Sequence, residues 1–236
     1  MYKLTAKYYD KIYHFKYYKK ESEKVRSLIK KYKKSDGNEM LDVACGTGGH
    51  IPYLKDKYDI TGLDLDKDML KEARKKLPGI KFVHGDMRTF QLKKKFDVIV
   101  CLFSAIAYMH TNAQLQKAIK NFSGHLKEGG LMIIEGFIPP KLFKPDLVHG
   151  IYFNEPDLKI FRATKATKKG NIMTMDFHIL AADKKGVKYI NEIHKAAMFE
   201  DKVFIDIMKK EGLKTICIKD GFMKGRSLFL GIKDKA

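Results

Sequence analysis

The stretch Met40-Leu-Asp-Val-Ala-Cys-Gly-Thr-Gly-Gly-His50 constrains this chain more than any other. Its apolar run, Met40 to Ala44, reads as a buried strand. Gly46, Gly48 and Gly49 then supply a tight turn, and a helix is expected from about Gly48 to Lys57. Strand, glycine turn and helix open a nucleotide-binding α/β unit. Which nucleotide is bound is the question put to the rest of the sequence.

The flanking segments repeat the theme. Val25, Leu28, Ile29 and Tyr32 mark one face of a helix over roughly 19–34, closed by the turn Ser35-Asp-Gly-Asn38. Ile60 to Asp64 is a second strand, and Asp66 is placed to cap a helix that turns Met69, Leu70, Ala73 and Leu77 inward. Strands are expected at Ile80–His84, Phe96–Cys101 and Leu131–Glu135, with a helix capped by Asn112 before the last. Apolar strands alternating with helices predict a doubly wound, mostly parallel α/β sheet.

After Pro139-Pro140 the period changes. Met173, Met175, Phe177 and Ile179 alternate with Thr174, Asp176 and His178, and Lys169-Gly-Asn171 and Asp183-Lys-Lys-Gly186 read as hairpin turns. This predicts an inserted antiparallel β cap over residues 141–198, within an α/β domain formed by 1–140 and 199–236. A last helix around Phe204, Ile207 and Met208 stops at Gly212, and two strands, Leu213–Ile218 and Ser227–Ile232, follow.

Composition narrows the partners. The formal charge is +19, but only five of the cations are Arg, and the lysines are spread along the chain. A dispersed lysine surface is the mark of solvation more than of a nucleic-acid interface, and it also draws an anionic small molecule. A nucleic-acid partner is therefore the weaker reading. No run reaches the ~18 apolar residues of a membrane span. The N-terminus lacks an apolar signal core, and Cys45, Cys101 and Cys217 are too few and too far apart for a disulfide or metal framework, so a cytoplasmic location and no metal are expected. A homodimer is compatible with all of this.

Three features discriminate among nucleotides. A dinucleotide fingerprint wants a small residue at position 51, where this chain has Ile51. Asp42 lies inside the first strand, within reach of the turn, where it can anchor the free ammonium group of S-adenosylmethionine. Asp64 ends the second strand, where a carboxylate can accept both ribose hydroxyls. Gly85-Asp86-Met87 adds an acid for an adenine amino group, with an apolar wall beside it.

With those residues in view, Leu-Asp-Val-Ala-Cys-Gly-Thr-Gly at 41–48, Gly-Leu-Asp-Leu at 62–65 and Gly-Asp-Met-Arg at 85–88 resemble the class I S-adenosylmethionine-dependent methyltransferases. The resemblance implies a seven-stranded sheet with its last strand reversed. Asp-Met-Leu at 68–70, Phe-Ser-Ala-Ile at 103–106, the cap residues Arg162, His178, Glu192 and His194, and Gly225-Arg226 are similar to the N,N-dimethyltransferases of nucleotide-linked amino sugars. The function expected is N-methylation of a small amine acceptor, with an RNA methyltransferase or a non-catalytic S-adenosylmethionine-binding protein as alternatives.

Tyr18, Asp42, Gly46, Gly48, Asp64, Met69, Asp86, Met87 and Phe103 are then the expected cofactor residues. By the resemblance a His or Tyr near this loop end orients the acceptor amine; the matching residue, and the expected catalytic one, is Tyr108, which departs from the members with His and leaves a general-base role in doubt. Ser104, His178, Arg226 and Tyr2 are expected at the acceptor, with Arg226 on a pyrophosphate. His194 is a further candidate for the pocket wall, a cross-strand pair with His178 being the plainer expectation.

Overall fold

The structure, a computed structural model, describes residues 6–144 and 147–234. A short helix α1, Tyr9–Ile12, and a longer one, α2, Tyr18–Tyr32, precede β1, Glu39–Val43. Then come β2 at Asp59–Asp64, α3 at Lys67–Lys76, β3 at Lys81–His84 and β4 at Phe96–Cys101. Helix α4, Asn112–His125, leads into β5, Leu126–Glu135. Four long strands follow, β6 Leu147–Glu155, β7 Leu158–Lys169, β8 Ile172–Asp183 and β9 Gly186–Ala197. Helix α5, Asp201–Lys210, with β10, Leu213–Ile218, and β11, Leu228–Lys233, completes the chain.

The main sheet has the order β10-β11-β5-β4-β1-β2-β3. Strands β1 to β5 are parallel, and β11 runs antiparallel to both its neighbours. This is the expected seven-stranded sheet with a reversed last strand. Every residue of β4 is buried, as a strand covered on both faces requires. One face packs Leu41, Val43, Ile99 and Met132 against α4 and α5; the other packs Met40, Val98, Val100 and Ile133 against α2. The order reverses between β4 and β1, so the loops leaving these two strands diverge and open a crevice.

Strands β6 to β9 form a separate antiparallel sheet. Its pleat separates two faces. Phe153, Ile160, Phe177, Ile179 and Ile190 point inward and pack on Tyr8 and Ile12 of the N-terminal segment. Tyr152, Phe161, Leu180 and Tyr189 are paired in register across all four strands on the other face, and all four are exposed. Among the described residues no helix is long and apolar enough to cross a membrane.

Two local expectations are corrected. Residues 48–57 do not form an α-helix but a series of tight turns around a 3-10 turn at Ile51–Tyr53. Pro52 has no N–H to return to Gly48, and the amides of Ile51, Tyr53 and Leu54 bond three residues back. Helix α4 is capped by Thr111, whose hydroxyl accepts the Gln114 amide at 3.2 Å, and Asn112 is its first helical residue. The Asp66 cap is as expected: its carboxylate accepts the amides of Asp68 and Met69 at 3.0 and 3.1 Å.

Candidate active site

Backbone strain marks the site. Among the described residues four non-glycine residues have positive φ: Ala44, Phe103, Ser104 and Asp220. The first three lie in the loops that leave β1 and β4, one loop on each side of the crevice. Such conformations cost on the order of 1–3 kcal/mol each and gather at functional sites. Gly46 stands at φ 55° with nothing near the place of a Cβ, so its backbone conformation, not lack of room, calls for glycine. Gly48 continues the turn at φ 76°.

A cavity between the loops is lined by Tyr9, Tyr18, Asp42, Gly46, His50 and Phe103, among others. Asp42 is buried at its floor, and burial, then the charge of Asp64, push its carboxyl up to about 7. Among the described residues no cation forms an ion pair with it. Asp64 accepts the Gly46 amide at 2.7 Å on one oxygen and the Asp66 amide at 2.8 Å on the other. Burial raises its pKa against the pull of the Asp66, Gly46 and Leu65 amides.

Asp86 is occupied. Arg88 Nε donates to both of its oxygens at 3.0 Å, and the Arg88 amide donates at 2.8 Å, which holds the carboxyl below its ordinary range. An amino group arriving there shares the carboxylate with Arg88. Met87 and Met69 are buried, Met69 in the first turn of α3, and with Asp86 they stand outside the cavity lining.

The N-terminal segment roofs the cavity. The Tyr18 ring lies so close to Gly49 that a Cβ there would sit 2.5 Å from it. Burial, then Asp10 and Glu21, raise the Tyr18 phenol, and burial, then Tyr13, Tyr18 and Tyr108, raise Tyr9; both remain hydrogen-bond donors at neutral pH. Beneath them Lys16 donates to both oxygens of Glu21 at 2.7 and 2.6 Å, and His50 Nε2 lies 2.7 Å from Glu21. Lys16 Nζ also sits 4.1 Å from the centre of the Phe103 ring, and so braces the loop after β4. The space left is about 40 Å³. Small-molecule pockets measure some 300–1,000 Å³, so the crevice in this conformation is narrower than a nucleoside.

On the other side of Phe103 the cap meets the β4 loop. Tyr108 Oη is 2.9 Å from His194 Nδ1, and His194 Nε2 is 3.3 Å from Glu192. Arg162, buried under the cap, donates to Tyr13 Oη at 3.1 Å and lies over the Phe177 ring. The Ser104 hydroxyl donates to the Gly136 carbonyl at 2.7 Å and accepts from Arg226 Nη1 at 3.3 Å, so Ser104 orients Arg226. Behind them Glu135 accepts the Phe103 amide at 2.5 Å, and its other oxygen lies 3.8 Å from Arg226. Burial is the leading cause that raises Glu135 and lowers Arg226, each opposing it in the other.

His178 is not part of this assembly. It stands on the exposed face of β8, bonded to Tyr189 at 2.5 Å and paired with Asp176. His194 is buried on the opposite face, across from Met175, so the two histidines form no cross-strand pair. Tyr2 lies outside the described residues.

Residues 40–130 match the family described as a methyltransferase domain. A dTDP-3-amino-3,4,6-trideoxy-α-D-glucopyranose N,N-dimethyltransferase of Streptomyces venezuelae is 32% identical over 217 residues, 91% of each chain. The chain belongs to the S-adenosylmethionine-dependent sugar N-methyltransferases. The sugar N-methyltransferase KedS8 from Streptoalloteichus superposes with a TM-score of 0.89 at 27% identity, covering 96% of this chain and 93% of that one. The S-adenosylmethionine-bound amino pentose methyltransferase CalS10 from Micromonospora echinaspora gives 0.82 at 29% identity, covering 92% of each.

For this methyltransferase the structure adds residues that the sequence reading leaves out. Lys16 and Glu135 both border the crevice, beside Tyr9 and Tyr13. Glu135 had a visible signal, because it ends β5 as Asp64 ends β2. A roomier, basic cleft lined by Arg88, Lys93, Lys94, Lys95, Lys117 and Lys120 lies elsewhere. Lys94 there reaches Glu39 and Asp59, at the opposite ends of β1 and β2 from the glycine turn.

Proposed function

We propose that the protein transfers methyl groups from S-adenosylmethionine to the amino group of a nucleotide-linked amino sugar. The observation that carries this reading is the buried Asp42 carboxylate, unpaired with any described cation and set below a left-handed glycine turn. It suits a ligand that brings its own ammonium. In this reading Asp42, Gly46 and Gly48 hold the amino-acid end of the donor and Asp64 its ribose. Met69, Asp86 and Met87 serve the adenine, and Tyr18 and Phe103 cover the whole. The nine-tenths overlap with an enzyme named for a dTDP-linked amino sugar supports the acceptor class.

When bound, S-adenosylmethionine supplies a methyl group on a sulfonium: the acceptor nitrogen gains the carbon as the C–S electron pair returns to sulfur. The leaving group is already good, so proximity and alignment are the main contribution of the protein. Arg226, held by Ser104, is aimed to clamp a pyrophosphate bidentately. Residues 141–198 act as the acceptor cap, and 1–140 with 199–236 as the donor domain. The unpaired cysteines support a cytoplasmic location. The exposed apolar row Tyr152-Phe161-Leu180-Tyr189 supports a homodimer through the outer face of the cap.

The test is transfer of a labelled methyl group, with a dTDP-linked 3-amino sugar and total tRNA offered in parallel. Label in the sugar alone is expected. Label in tRNA would replace the reading with the RNA alternative, and S-adenosylhomocysteine binding without any label would favour a binding protein.

A further inference from the structure

We propose that Tyr108, His194 and Glu192 form a proton relay that deprotonates the acceptor ammonium before methyl transfer. The inference rests on the amine-acceptor reading above. An amine at neutral pH arrives largely protonated, since an α-amino group titrates near ~8, and a protonated nitrogen has no lone pair to attack with. Somewhere the proton must go.

The geometry offers one path. Tyr108 ends the loop that follows β4 and interacts with Tyr9, which lines the donor cavity. Its hydroxyl lies 2.9 Å from His194 Nδ1, and His194 Nε2 lies 3.3 Å from a Glu192 oxygen. The imidazole is 1% exposed and the Glu192 side chain 10% exposed. Glu192 fixes the tautomer: with Nε2–H donated to the carboxylate, Nδ1 is the acceptor for the Tyr108 hydroxyl. The order hydroxyl, imidazole, carboxylate is that of a nucleophile triad, set here to receive a proton rather than to activate an attack.

The step balances within these groups. The acceptor –NH3+ gives a proton to Tyr108 Oη as the Tyr108 proton passes to His194 Nδ1. The products are –NH2, a neutral phenol and an imidazolium paired with the Glu192 carboxylate. When the methylated product leaves, the Nδ1 proton returns to Tyr108 Oη as the Tyr108 proton passes to solvent in the opened pocket, and the relay is reset for a second methylation. Among the described residues, His194 is faced by Tyr108 from the β4 loop, Glu192 on its own strand, and the Phe177 ring of β8 at 4.9 Å. Arg162 lies over the far neighbour Phe177, and His110 on the same loop bonds instead to the Lys195 carbonyl at 3.0 Å.

The test compares wild type with Tyr108→Phe, His194→Gln and Glu192→Gln, reading kcat against pH on a dTDP-linked 3-amino sugar. At pH 7 each variant is expected to lose at least about tenfold, within the range of general-base effects. At pH 9, where the amine arrives unprotonated, activity should return to within about threefold of wild type. A loss that stays constant with pH, or no loss, overturns the relay. S-adenosylhomocysteine affinity of His194→Gln and Glu192→Gln, measured alongside, reports that the fold is intact. If the wild type methylates no amino sugar, the proposed function fails separately, and the relay is then judged on 15N-histidine NMR of the full chain. His194 is expected with Nε2 protonated and Nδ1 accepting, its Nδ1 shift changing in Tyr108→Phe. The opposite tautomer refutes the relay without any substrate.

Discussion

Asp42 and Asp64 lie on adjacent parallel strands, and the charge of Asp64 adds to burial in lifting the Asp42 carboxyl to about 7. The folded pKa is raised above the unfolded value of 3.8. Stability from the protonated form is therefore complete below pH 3.8 and is lost as pH rises through about 7. Asp42→Asn removes that loss. Urea titrations should find the variant more stable than wild type at pH 8, by roughly 2–4 kcal/mol, with the two close together at pH 4. An equal difference at both pH values would mean that Asp42 does not titrate as its burial dictates.

The same carboxyl sets the pH dependence of donor binding. Only ionised Asp42 pairs with an ammonium, so S-adenosylhomocysteine affinity should weaken toward tenfold per unit below pH 7 and stay level above it until the ligand's own ammonium titrates. Calorimetry near pH 6.5 should show proton release on binding. Asp42→Asn should bind at least about 30-fold more weakly and release no proton. Retained affinity in the variant would remove the ammonium from this position.

Much of this was legible because the donor side is written locally. Gly46, Asp64 and Asp66 sit at strand ends, where a few neighbouring residues decide the backbone and the cap. The helix expected at 48–57 failed on one residue, Pro52, whose missing N–H outweighed the helical pattern. The exposure of His178 was legible too, since its alternation with Phe177 and Ile179 puts it on the polar face of β8. Lys16 was not legible, because its role depends on contact with Phe103, many positions away.

A cavity of about 40 Å³ under the tyrosine segment predicts that donor binding displaces the roof. Hydrogen exchange with and without S-adenosylhomocysteine should change across residues 6–21 as well as around the glycine turn. Gly49→Ala places a methyl group 2.5 Å from the Tyr18 ring and should displace it, weakening the ligand by about tenfold with little change in stability. No exchange difference across 6–21 would leave the donor without a way in.

Glu21 should hold the acid limb of stability. Burial raises its carboxyl, but the bonds from His50 and Lys16 outweigh this and leave it below 4.5. A depressed acid contributes stability above its unfolded pKa and loses it as pH falls through the folded one. Glu21→Gln leaves Lys16, whose side chain is 3% exposed, without its carboxylate. The expected cost is about 3–5 kcal/mol at pH 7 and less at pH 3. Thermal melts at the two pH values check it; a loss independent of pH would point to packing instead.

Arg226 and Glu135 allow substrate recognition to be separated from stability. Their ion pair spans 3.8 Å, long for a buried pair, and Arg226 completes its contacts through Ser104. A pyrophosphate would give the guanidinium a better-matched, bidentate partner. Arg226→Lys keeps the charge but not the fork, and should raise KM for a dTDP-linked amino sugar by ten- to a hundredfold while leaving S-adenosylhomocysteine affinity within about twofold. Arg226→Met alone leaves a fully buried Glu135 with the Phe103 amide and the charge of Lys16, and should cost less than the ~3–5 kcal/mol of a wholly unpaired buried charge, softened further where that raised carboxyl takes up a proton. Arg226→Met with Glu135→Gln should recover most of this stability and none of the lost KM. If the double variant also regained substrate affinity, Arg226 would be a structural cation, and the pyrophosphate would have to be sought at Arg162.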